Sequence, residues 1–89
     1  EVDKTNAQNW AARGDYYQFA GNYAAAVADY TEAIKLDAAM VSSYMGRADA
    51  YAELKNTSSA IADLKKVLSI APDHLEAKAK LRKLGISVN

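Results

Sequence analysis

Apolar residues along this chain recur at spacings of three and four rather than two, which predicts helices throughout. Within Ala24 to Leu36, Val27, Tyr30 and Ile34 draw one apolar stripe flanked by Ala26 and Ala33, and Ile61, Leu64, Val67 and Leu68 draw a second. The stretches Ala7 to Ala20 and Val41 to Leu54 carry Trp10, Gly14, Tyr17 and Tyr44, Ala48, Tyr51 at matching intervals. Small residues there alternate with large ones, so two helices are expected to approach closely at Gly14 and Ala48 while rings fill the space above and below. Gly21-Asn22 and Lys55-Asn56-Thr57 interrupt the pattern. A Gly or Asn at such a break is expected to take the left-handed backbone that ends a helix. After Pro72, Asp73 is expected to cap a fifth helix, with Glu76 three residues on. Gly85 stops it, and the last residues are expected to fray.

Sliding the sequence against itself shows why the helices come in matched pairs: the chain repeats with a period of 34. Arg13/Arg47, Asp15/Asp49, Tyr17/Tyr51, Asn22/Asn56, Ala26/Ala60, Ala28/Ala62 and Asp29/Asp63 are identical. Trp10/Tyr44, Gly14/Ala48, Val27/Ile61, Ile34/Leu68 and Leu36/Ile70 keep size and polarity, as a packed interior requires.

On these residues the chain resembles the tetratricopeptide repeat family, whose pattern is W-x2-L-G-x2-Y, A-x3-F and P over one unit. The first unit has Trp10, Arg13 in place of Leu, Gly14, Tyr17, Ala26, Tyr30 in place of Phe and Ala38 in place of Pro. The second has Tyr44, Arg47, Ala48, Tyr51, Ala60, Leu64 and Pro72. The resemblance implies a single all-α domain of tandem helix-turn-helix repeats, an α-solenoid of two units over residues 7–40 and 41–74. A C-terminal capping helix over 73–84 and a tail over 85–89 complete it. Without Pro at position 38, the junction between units is expected to be less rigid than the exit from the second.

Composition narrows the function. At 89 residues there is room for one small domain, which excludes a multi-domain enzyme, and 51% apolar with 25% charged residues is the balance of a globular chain. Eleven Lys and Arg offset eleven Asp and Glu, so no positive field favours nucleic acid. No apolar run approaches the roughly 20 residues that cross a bilayer. Glu1-Val2-Asp3-Lys4 does not read as a signal peptide, and a start at Glu rather than Met is expected of a processed or excised chain. With no Cys and a single His, neither thiolate chemistry nor the usual metal route is open, and no cofactor is expected. His74 reads as a surface or capping residue, and no glycine-rich phosphate loop or enclosed carboxylate pair marks a catalytic centre.

What the resemblance implies instead is a protein–protein interaction module, a scaffold or adaptor whose stacked helix pairs hold a peptide, helix or partner in a concave groove. Groove contacts in the family come from the first helix of each unit. They map to Gln8, Ala11, Asp15, Gln18 and Phe19, then Ser42, Met45, Asp49, Ala52 and Glu53, with Glu76, Ala79 and Lys83 from the last helix. Asp15, Asp49, Glu53 and Glu76 then face one cation, with Phe19 and Met45 as apolar spots. Such a groove suits a basic segment with an apolar anchor, whereas the plainer reading is a solvated helix face. The co-chaperone subclass that clamps acidic chaperone tails uses Lys, Asn and Arg at positions that fall here on Ala11, Asp15, Gly46, Glu76 and Lys80, and only Lys80 fits. That partner class is not expected.

Arg13 and Arg47, one period apart, are expected to lay their stems on apolar surface and pair with carboxylates, with a role as groove donors the second reading. Tyr17, Tyr23, Tyr30, Tyr44 and Tyr51 read as packing residues, and Tyr16 as a surface contact or a half-buried one. Charge is divided along the stack, with three cations against six anions over residues 1–40 and eight against five over 41–89. Two units and one helix are fewer than the three repeats that complete a continuous core. The alternative function is therefore self-association into a homo-oligomer through the end faces. Trp10 and Arg13 would lie at one end and Lys78, Lys80 and Arg82 at the other.

Overall fold

The structure, a computed structural model, describes residues 5–88. Five helices follow one another: α1 (Ala7–Phe19), α2 (Tyr23–Leu36), α3 (Val41–Glu53), α4 (Thr57–Ile70) and α5 (Leu75–Lys83). α1 packs against α2 and α3 against α4 as antiparallel pairs, α2 meets α3 across the unit boundary, and α5 closes on α4. Glu1 to Lys4, where the leader reading falls, lie outside the described residues.

Both intra-unit turns are built alike. The amide of Asn22 donates to the Tyr17 carbonyl at 2.8 Å and that of Asn56 to the Tyr51 carbonyl at 2.8 Å, satisfying orphan carbonyls at the end of the first helix. The left-handed residue is Gly21 (φ 82°) in the first turn and Lys55 (φ 65°) in the second. Each Asn instead caps the helix that follows, its side chain accepting from Ala25 or Ser59 at 3.3 Å. At α5 the cap is His74, not Asp73: the His74 Nδ1 accepts from the Ala77 amide at 3.2 Å.

The link between the units, which lacks the family's Pro, is held at two points. Asp37 accepts from the Ala39 amide at 3.1 Å, and the Tyr44 hydroxyl donates to the Ala38 carbonyl at 2.9 Å. Nor does the tail simply fray: Ile86 and Val88 pack, half-buried, against the core, and the Ile86 amide donates to the Leu81 carbonyl at 2.9 Å.

Burial divides into two clusters. Ala26, Tyr30 and Ala50 form one, with Tyr17, Tyr23 and Val27 against it, and Tyr44, Met45, Ala48, Leu64, Val67, Ala77 and Leu81 form the other. Tyr30, 1% exposed, is the largest side chain so enclosed. Its ring passes between α1 and α3, where a Cβ on Gly14 would stand 2.9 Å from Cε1 and one on Gly46 only 2.5 Å from Cζ. Two glycines on separate helices thus make the space for one ring.

The Arg–Asp pairs repeat with the units. Arg13 holds Asp29 through Nε at 2.7 Å and Nη2 at 3.0 Å, and Arg47 holds Asp63 at 2.9 and 2.7 Å. Both carboxylates are buried, so each needs its forked partner. Each guanidinium also lies over aromatic rings, Arg13 over Trp10 and Tyr17, Arg47 over Tyr44 and Tyr51. The pairing expected from the sequence is what forms, and the hydrogen bond to Asp raises each Arg pKa further above its ordinary value. The units differ in one contact: Arg47 Nη1 also donates to the Thr31 hydroxyl at 3.1 Å, which belongs to the preceding unit.

Candidate functional site

α1, α3 and α5, the first helices of successive units, bring one set of polar side chains together. Asp15 on α1 accepts a hydrogen bond from the Tyr30 hydroxyl, which reaches it from α2 between the two glycines. Burial first, then that hydrogen bond, then the charges of Asp15 and Asp49 push the Tyr30 phenol above the ordinary range. On α3, one repeat later, Asp49 accepts from Lys80 Nζ at 3.0 Å, and Glu76 lies 3.8 Å from the same ammonium. The hydrogen bond to Asp49 is the main cause of a raised Lys80 pKa. Gln18 ties α1 to α3 by donating from Nε2 to the Gly46 carbonyl at 3.2 Å. Its Oε1 is buried with no partner among the described residues.

A cavity of about 600 Å³ opens beside these groups. Its floor is apolar, from Ala48, Ala60, Leu64 and Leu84, and its rim carries Asp49, Glu53, Lys80 and Lys83. Gln18, Tyr23 and Ala52 complete the wall.

Of the residues singled out from sequence, Asp49 and Glu53 line this opening; Asp15, on α1, lies outside its lining and holds the Tyr30 hydroxyl, and Glu76 approaches it only through Lys80. Phe19, at the end of α1, is 94% exposed. Met45 corrects the expectation of a second apolar spot. It is buried in the cluster that α3 and α4 form with Ala77 and Leu81 of α5, so it packs the core and offers nothing to a ligand. Lys80 corrects another: the sequence groups it with the end-face cations, yet it lies in the groove, so the four inner-helix carboxylates face two lysines rather than one. Arg13 is engaged by Asp29, and Trp10 is half-buried beside it. Lys78 is half-buried, and exposed Arg82 borders a shallow cleft with Gly85, Ile86 and Val88.

The sequence marks Tyr30 as a packing residue, and so it is, but sequence reasoning did not find its hydroxyl's bond to Asp15 or the parts played by Gly46 and Lys80. A signal for Lys80 was present, since Glu76 and Lys80 stand four apart on one helix and such pairs meet. Among the described residues no three His, Cys, Asp or Glu side chains gather to hold a metal, and no helix is long and apolar enough to cross a membrane.

Comparison with known proteins agrees with this architecture. The family model for the tetratricopeptide repeat matches residues 11–74. Among solved structures, the first such domain of Spaghetti (RPAP3), bound to the HSP90 peptide SRMEEVD, superposes with a TM-score of 0.89 at 28% identity. The match covers 93% of this chain and 66% of that one. No curated protein matches in sequence.

Proposed function

The chain belongs to the tetratricopeptide repeat family, and from that premise we propose that it is a non-catalytic interaction module holding a peptide segment along α1, α3 and α5. The observation that carries this reading is the opening on the inner-helix face, apolar at its floor and edged by charged side chains. Such a surface fixes orientation with a few polar contacts while apolar burial supplies affinity. At the opening itself Asp49 and Glu53 balance Lys80 and Lys83, and Asp15 and Glu76 elsewhere on the same inner helices tip the face toward a partner segment of net positive charge, with an apolar anchor seated in the opening.

The similar domain of Spaghetti was solved with an acidic peptide, SRMEEVD. We propose a different partner here. A carboxylate-rich segment would have to draw Lys80 away from both Asp49 and Glu76, and would meet Asp15 where a clamp needs a donor. The test is a peptide display selection followed by titration of the selected peptides against the parent chain and an Asp15→Lys, Asp49→Lys double variant. Enrichment of basic sequences, with binding lost in the variant, is expected. Enrichment of acidic sequences, or binding indifferent to the double change, would overturn the reading.

A further inference from the structure

Asp15, Asp49 and Lys83 stand one period apart, at the same place on α1, α3 and α5. The inner face therefore changes sign between its second helix and its third. Pairing within the chain leaves that change uncovered. Asp49 is spent on Lys80, and Lys80 on Asp49 and Glu76. Asp15 is bonded by the neutral Tyr30 phenol and keeps its charge at an exposed position. Glu53 and Lys83 are exposed, line the opening and have no ion pair among the described residues. The helix ends act in the same sense. The last turns of α1 and α3 hold no basic residue to offset their carbonyl dipoles, whereas the last turn of α5 holds Lys80, Arg82 and Lys83.

We propose that the partner segment carries both signs of charge in a fixed order: two basic residues over α1 and α3, an apolar residue in the opening, and one carboxylate over Lys83 of α5. This rests on the groove reading above and adds how charge is ordered along the segment. The unspent carboxylates, Asp15 and Glu53, take the basic pair, and Lys83, the groove lysine not already bonded, takes the acid. Packed helices lie about 8–10 Å apart and an extended chain rises about 3.3 Å per residue, so the outermost base and the acid stand roughly five or six residues apart. Glu76 lies toward the other end of α5 and is held by Lys80, so it does not cancel the charge of Lys83. SRMEEVD has the opposite proportions, three acidic side chains to one arginine.

The experiment titrates the isotope-labelled chain at low salt with synthetic peptides of about seven residues, read by amide chemical shifts. Each has blocked ends, two lysines at one end, a leucine in the middle, and glutamate, glutamine or lysine at the other end. The glutamate peptide is expected to bind about three- to fivefold more tightly than the glutamine peptide, and the lysine peptide most weakly. Lys83→Glu, at an exposed position, is expected to reverse that order. Arg82→Glu makes the same charge change beside the tail cleft and is expected to preserve it. An unchanged order in Lys83→Glu, an equal reversal in Arg82→Glu, or a parent chain that prefers the lysine peptide would overturn the proposal. If the lysine peptide is preferred and its shifts map to α1 and α3, the ordering fails while the groove stands. If no peptide shifts the inner helices, both fail.

Discussion

A methyl group added to Gly46 would stand 2.5 Å from Cζ of Tyr30, closer than carbon atoms pack. Gly46 is therefore a glycine for the sake of a ring that comes from another helix. An alanine there gains roughly 1 kcal/mol of helix propensity, yet it must displace a 1% exposed side chain held at its tip by Asp15. Gly46→Ala is expected to lose about 1–3 kcal/mol net in denaturant unfolding. Adding Tyr30→Leu, the residue at the equivalent place in the second unit, is expected to recover part of that loss. A neutral or stabilising Gly46→Ala would contradict the packing described here.

The two Arg–Asp pairs are predicted to differ in weight. Arg47 also bonds Thr31 and its side chain is 17% exposed, against 42% for Arg13. Truncating Arg47 strands Asp63 in the core, and Arg47→Ala is expected to cost about 3 kcal/mol or more. Arg13→Ala is expected to cost less. Parallel urea melts of the two variants decide the order.

Much of this was legible in the sequence. The helix pairs, the period and the pairing of both arginines follow from residue spacing, because packing within a unit is set by local periodicity; at Gly14 the expected close approach of two helices is instead the seat of the Tyr30 ring. Contacts between units are less visible. Gly46 answers to Tyr30 from across the unit boundary, and its repeat equivalent, Ala12, is exposed, so self-comparison gives no hint. Met45 looked like a groove residue because its helix face was inferred from the family pattern, whereas α5 encloses the cluster to which it belongs. Lys80 reaches Asp49 on another helix, and which helix a flexible lysine reaches is a matter of tertiary geometry.

Lys55 is the one non-glycine with positive φ among the described residues, at the place where the first unit has Gly21. An L side chain in that region costs about 1–2 kcal/mol. Lys55→Gly is expected to raise stability by about 0.5–1 kcal/mol, the relief of strain exceeding the added entropy of the unfolded chain. Thermal melts check the sign, and a lower Tm would argue that Lys55 is not strained.

Alkali should unfold the domain through two groups. The Tyr30 phenol and the Lys80 ammonium both hold their protons more tightly folded than unfolded. Their stabilisation is complete below the unfolded pKa values of about 10 to 10.4 and is lost as pH rises through the folded ones. Stability is therefore expected to decline above about pH 10, and less steeply in Tyr30→Phe. A tyrosinate absorbance step delayed beyond the ordinary range, and absent from that variant, identifies the phenol.

End-to-end growth of the stack is expected to be weak. A copy docked as a preceding unit would present Lys65, the repeat equivalent of Thr31, to Arg13. Like charges meet there, and Lys80 is already held by Asp49 and Glu76. Light scattering across about a hundredfold in concentration is expected to give a constant monomer mass. A mass that rises with concentration and falls with salt would make the end faces the interface instead.

The groove is tested most directly by calorimetric titration with two peptides of equal length, SRMEEVD and one bearing an apolar residue flanked by lysines. Tighter binding of the basic peptide is predicted, weakened by salt and by Asp15→Asn with Asp49→Asn. Tighter binding of SRMEEVD, lost on Lys80→Ala, would contradict the account and make Lys80 a clamp for carboxylates.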